Sequence, residues 1–104
     1  MGSLGALQAW FLSHCDGDWE HQCGVRIETL DNPGWSLTIN LEGTGLTDKP
    51  FAEVARGVGV DARPNDNDWL DCRVADGTFE GRGGPTSLEE MLSIFLKWAE
   101  WAAP

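Results

Sequence analysis

The sequence predicts an α+β fold: an antiparallel β-sheet meander flanked by an N-terminal and a C-terminal helix packed on one face. Three observations carry this prediction. Apolar residues recur at helical spacing near both ends, apolar and polar residues alternate between them, and turn signals punctuate the alternation at short intervals. With 104 residues and 11.4 kDa, residues 1–104 are expected to form a single domain around one core. Six Trp and four Phe make that core rich in rings, each of which removes roughly 150–250 Å² from water when buried. Such a core needs neither a disulfide nor a metal to hold a chain of this length together.

Taken in order, Leu4, Leu7 and Phe11, with Trp10 on the flank, predict a short amphipathic helix over about residues 4–14. Asp16-Gly17-Asp18 breaks it as a turn. Val25, Ile27 and Thr29 alternate with Arg26 and Glu28 as a half-buried strand. Asp31-Asn32-Pro33-Gly34 reads as a type II turn, with Pro33 and Gly34 at its central positions. Trp35, Leu37, Ile39 and Leu41 alternate with Ser36, Thr38 and Asn40 in the clearest strand of the chain. Residues 51–61, with Val54, Val58 and Val60 at even spacing, form a strand weakened by Gly57 and Gly59. A polar loop follows over residues 63–68.

Trp69 to Val74 is the next strand, and Asp76-Gly77 is a hairpin signal leading into Thr78-Phe79-Glu80. Gly81 to Pro85 is expected to end the sheet. Ser87 and Glu90 have the spacing of a capping box, and Leu88, Met91, Leu92, Phe95, Trp98 and Ala99 supply the apolar stripe of a closing helix. If Leu70, Cys72 and Val74 face the helices, then Trp69, Asp71 and Arg73 lie on the open sheet face, or Trp69, at the strand end, folds over the sheet edge. Arg26, Glu28, Ser36, Thr38 and Asn40 join them there by the same alternation.

Charge narrows the function. Seven basic residues against seventeen acidic ones give a net charge of −10 and a pI near 4.3. Residues 1–48 carry Asp16, Asp18, Glu20, Glu28, Asp31, Glu42 and Asp48 against Arg26 alone. A field of this sign repels nucleic acid and anionic membrane and speeds encounter with basic partners. Three cysteines without repeated spacing give no disulfide framework and point to reduced thiols in a cytoplasmic protein. The apolar stretch from Leu4 to Leu12 has no basic residue before it and is too short to span a bilayer.

No catalytic constellation emerges. The cluster His14-Cys15-Asp16-Gly17-Asp18-Trp19-Glu20-His21, with Cys23 behind it, contains metal-ligand residue types. It lacks the ligand count of a calcium loop and the two ligand pairs of a structural zinc site. A thiol nucleophile, Cys15 paired with His21 or His14, is the competing enzymatic reading, and Asp16, Asp18 and Glu20 oppose it by raising the thiol pKa. Gly81-Arg82-Gly83-Gly84 before a helix lacks the Lys-Ser/Thr of a phosphate-binding loop. No cofactor, metal or catalytic residue is therefore expected.

The motif blocks are more specific than the composition. Leu7-Gln8-Ala9-Trp10-Phe11, Cys15-Asp16-Gly17-Asp18-Trp19-Glu20-His21 and Thr29-Leu30-Asp31-Asn32-Pro33-Gly34-Trp35 resemble the immunity protein 53 family. Asp68-Trp69, Cys72, Val74, Gly77, Phe79, Gly81, Gly83-Gly84-Pro85, Leu88-Glu89-Glu90, Phe95 and Trp98 extend the resemblance over nearly the whole chain. Cys23 departs from it, standing where an aromatic residue is expected. The resemblance implies a bacterial immunity protein that stays in the cytoplasm and neutralises a cognate toxin by binding it, without catalysis. Two patches are candidates for that contact: the loop of Asp16, Asp18, Trp19 and Glu20, and the open face around Glu28, Trp69 and Asp71. For Trp19 a core ring and a contact ring are both compatible with the residues. The oligomeric state is left open.

Overall fold

The computed structural model describes residues 2–58 and 68–100. Helix α1 (Ser3–His14) is followed by a single helical turn, α2 (Trp19–Gln22). The strands are β1 (Val25–Leu30), β2 (Gly34–Asn40), β3 (Val54–Arg56), β4 (Leu70–Ala75) and β5 (Thr78–Gly83). Helix α3 (Leu88–Trp98) closes the described chain. The five strands form one antiparallel sheet in the order β1-β2-β5-β4-β3. The α+β class and the two terminal helices are thus as the sequence predicts. Most sequence neighbours pair, but the chain crosses from β2 to the far edge before β3, and β5 returns to meet β2.

Parity decides which side chains enter the core. Leu37 pairs with Gly81 and Gly81 with Cys72, while Ile39 pairs with Phe79 and Phe79 with Val74. Residues in such cross-strand rows share one face. On that face Leu37, Ile39, Leu70, Cys72 and Phe79 are fully buried beneath Met91, Leu92, Phe95 and Leu96 of α3 and Leu7 and Trp10 of α1. A chain of rings crosses this layer. Trp19 meets Trp10 edge-on at 6.0 Å, Trp10 meets Phe95 at 4.9 Å, Phe95 meets Phe79 at 5.2 Å, and Phe79 meets Phe51 at 5.5 Å. Indole N–H groups find backbone acceptors: Trp19 on Glu42, Trp35 on Pro85 and Trp98 on Pro50. These bonds let large amphipathic rings be buried without an orphaned donor.

Several local expectations are corrected. The Asn32–Pro33 peptide is cis, and Gly34 does not take a left-handed φ, so residues 31–34 do not make a type II turn. Gly34 is required for another reason: a Cβ there would stand 2.3 Å from the Gly83 carbonyl oxygen and 3.3 Å from the Trp69 ring. β5 continues through Gly83, because Leu70 and Trp35 flank that glycine in register. The capping box is not formed. Ser87 Oγ lies 3.5 Å from the Trp69 carbonyl oxygen, and Glu90 grips the Arg56 guanidinium with both oxygens, at 2.8 and 2.9 Å. A bidentate charged pair outcompetes one backbone N–H for the same carboxylate.

The strand expected over 51–61 is short, covering Val54–Arg56 at the sheet edge, and residues 59–61 of it lie outside the described residues. Most of the polar loop at 63–68 likewise falls outside them, Asp68 excepted. Asp76 and Gly77 both take positive φ, 53° and 72°, as a type I′ hairpin requires. The C-terminus of α3 is held by Lys49, whose Nζ donates to the Trp98 carbonyl at 2.6 Å and pairs with Glu100 at 2.9 Å. A cation there complements the helix dipole.

Candidate protein-binding surface

The sheet positions the open face. Two cross-strand rows of polar side chains run over it: Arg26, Thr38, Glu80 and Arg73 in one, Glu28, Ser36, Arg82 and Asp71 in the other. Both rows mix signs, with Arg26 3.6 Å from Glu28 and Arg73 3.8 Å from Glu80. Glu28 and Asp71 therefore share a row, and Arg82 stands between them directly opposite Asp71. The negative charge of Glu28 and Asp71 is offset in place. Arg82 joins this face because β5 runs on past Gly81.

Trp69 lies at the far end of this face, half-buried just before β4. Its ring packs where a Gly34 side chain would stand, and its Cβ lies against Gly57. The ring is thus seated over a glycine floor rather than held free in solvent.

The acidic loop sits at the opposite end of β2, about 20 Å away along seven residues of strand. Its geometry is built by two of its own carboxylates. Asp16 Oδ1 accepts from the backbone N–H groups of Asp18 and Trp19, each at 2.9 Å. Glu20 answers across the turn, accepting from Asp16 N at 2.9 Å and Gly17 N at 2.8 Å. Gly17 has φ of 96°, a left-handed conformation that favours glycine. Hydrogen bonds to the charged form hold both carboxyls below the ordinary range: from Trp19 and Asp18 for Asp16, and from Glu20's own N–H, Asp16 and Gly17 for Glu20.

Trp19 is 9% exposed and packs in the core cluster. Its indole donates to the Glu42 carbonyl oxygen at 2.8 Å, so the turn after β2 is drawn against the loop. Glu42 thereby joins Asp16, Asp18 and Glu20 at one end of the molecule. A groove of about 230 Å³ there is lined by His14, Asp16, Asp18, Trp19, Cys23 and Glu42, among others. The side chains of Asp18 and Glu42 are exposed and make no hydrogen bond or ion pair among the described residues. Nothing local in the sequence marks Glu42, 23 positions from its indole partner. A second groove, about 370 Å³, runs from His21 and Gln22 to Arg26, Thr38 and Asn40. It makes the acidic end continuous with the near part of the open face.

Cys15 and Cys72 are poorly placed for nucleophilic work. Burial first, then Glu20 and Asp16, pushes the Cys15 thiol up, and its Sγ donates to the Phe11 carbonyl at 3.3 Å. Burial pushes Cys72 up to about 12. The His14 ring packs at a tilt against Trp10 and Trp19, and burial lowers its pKa. Among the described residues no group of three or more His, Cys, Asp or Glu could hold a metal ion. In native protein, Cys15 and Cys72 should react with an alkylating reagent at neutral pH more slowly than in urea-unfolded protein, as a mass-spectrometric time course would measure.

Acid should loosen the fold. Asp16 and Glu20, together with Glu90 beside Arg56, have folded-state pKa values below their unfolded ones. The unfolded chain therefore takes up protons first as pH falls. Their contribution is complete above the ordinary carboxylate range and is lost below about pH 4. Denaturant midpoints at pH 7 and pH 3.5, compared between the native chain and Asp16→Asn, should show a smaller acid decline in the variant.

What the molecule presents is surface: an acidic end joined to a charge-balanced open sheet face. No helix among the described residues is long and apolar enough to cross a membrane. The class defined by the fold is a small α+β protein with a five-stranded antiparallel sheet and a helix at each end of the described chain. The chain belongs to the Immunity protein 53 family, whose model matches residues 4–100. The comparisons with curated proteins and with solved structures found no match.

Proposed function

We propose that this chain protects a bacterial cell by binding a cognate toxin domain in the cytoplasm and covering its active cleft. The family supports the immunity role, and the convergence of Asp16, Asp18, Glu20 and Glu42 at one end is the observation that carries the mode of binding. Asp16, Asp18 and Glu20 on the hydrogen-bonded turn, with Glu42 brought beside them by the Trp19 indole, concentrate negative charge, which suits a basic cleft such as a nuclease uses for phosphates. The contact extends from this end over Arg26, Thr38 and Asn40 toward Glu28 and Asp71, since a stable complex needs roughly 800 Å² from each partner. Trp69 lies at the far margin of that surface. The chain inhibits by occupancy and performs no chemistry of its own.

The test is to co-express the chain with the toxin domain encoded beside it and to titrate the two purified proteins. The reading expects cells to survive and the proteins to form a stable complex whose affinity falls as salt rises. Unprotected cells, or protection without a complex, would reject it.

A further inference from the structure

We infer that the β1 edge is a self-complementary dimerisation surface, on which a second copy of this chain continues the sheet. The two sheet edges differ. β3 has three residues, and its Arg56 is engaged by Glu90 and Asp68. β1 is six residues long, and its outer side pairs with nothing among the described residues. A long edge of this kind is a template for another strand.

The alternation of the ladder fixes which groups face outward. Asn40 N–H donates to the Gly24 carbonyl at 3.0 Å, and the register runs onward as Val25 with Ile39 and Arg26 with Thr38. Even-numbered residues of β1 therefore direct their backbone groups to β2. Val25, Ile27 and Thr29 direct theirs to solvent. A second, antiparallel β1 must meet these three with its own three, so the two-fold axis can fall on Arg26, Ile27 or Glu28. An axis on Arg26 sets two arginines face to face, and an axis on Glu28 sets two glutamates so. On Ile27, Arg26 of each copy faces Glu28 of the other in the close, non-hydrogen-bonded positions. The sequence around Ile27 thus selects one register and disfavours its neighbours.

The apolar side of the edge agrees. Ile27 would meet its own copy across the axis, beside a groove lined by Leu4, Leu7, Phe11 and Val25. The exposed large apolar side chains among the described residues are Leu4, Leu12 and Ile27, at 57%, 71% and 36%. Leu4 lines this groove together with Ile27. The pairing covers Ile27 and leaves the open faces of both copies on the same side of a ten-stranded sheet.

Sedimentation velocity on the full chain without toxin, from micromolar to near-millimolar concentration, tests this. A concentration-dependent dimer is expected. Arg26→Glu and Glu28→Arg should each weaken it about tenfold or more, because each places like charges opposite on both sides of the axis. The two changes move the net charge in opposite directions, so a general charge effect would weaken one and strengthen the other. Combining them restores complementarity and should restore the dimer. Circular dichroism on each variant confirms that the fold is kept. A chain that stays monomeric throughout, or a dimer indifferent to the single changes or not rescued by the pair, would overturn the inference.

Discussion

Trp19→Ala is expected to lower the unfolding free energy by about 3–5 kcal/mol, the usual cost of removing a buried large ring, and to abolish tight toxin binding as well. The ring is 9% exposed and packs edge-on to Trp10 and at a tilt on Phe11. Its loss opens a cavity at the junction of α1, α2 and the turn after β2. It also removes the indole donor that holds the Glu42 carbonyl at 2.8 Å. The two carboxylate groups of the acidic end, Asp16 to Glu20 and Glu42, then lose their common anchor. Urea unfolding gives the first quantity. Titration at a temperature where the variant is still folded gives the second. Trp19→Phe should recover much of the stability, because the ring volume is largely kept, while the hydrogen bond to Glu42 is not.

Phe95→Ala should cost a similar amount, about 3–5 kcal/mol, without a specific effect on binding. Phe95 is fully buried and touches Trp10, Phe79 and Trp98, so it joins both helices to the sheet. Removing it cuts the ring chain at its centre, where neither helix can collapse inward without losing register. A domain of this size holds only about 5–15 kcal/mol in total, so the variant should be partly unfolded near physiological temperature. Thermal unfolding by circular dichroism measures this directly. At low temperature, its toxin affinity per folded molecule should match that of the native chain.

These two rings also mark how far the sequence could be read. Phe95 sits on an apolar stripe of period near 3.6, and its burial follows from the stripe. Strand alternation likewise located β1, β2 and β4, and Asp76-Gly77 marked the hairpin that the structure contains. Trp19 was harder. It lies in a polar loop whose single helical turn is too short to have a period, and its burial depends on contacts with α1 and residue 42. The β2–β5 pairing is also invisible locally, because it joins strands separated by the whole β3–β4 excursion.

Competition between partners explains the other misses. The Ser87 and Glu90 spacing satisfied a local rule, but Arg56, 34 residues away, offers Glu90 a stronger pair. For the surface, parity placed Glu28 and Asp71 on the open face, yet the charge of that face depends on Arg82 in a strand that continues farther than its glycines suggested. Acidity concentrated near Asp16 was legible from composition. The addition of Glu42 to it was not.

The central claim is that the acidic end is what the toxin binds. Asp18 and Glu42 allow it to be tested without disturbing the loop, since neither side chain holds a hydrogen bond or ion pair among the described residues. The decisive measurement is the affinity of Asp18→Lys/Glu42→Lys for the purified cognate toxin at low and high salt, with native unfolding behaviour verified beforehand. The account predicts binding weakened by about tenfold or more at low salt, with a smaller difference at high salt. A folded variant that binds as tightly as the native chain would contradict it.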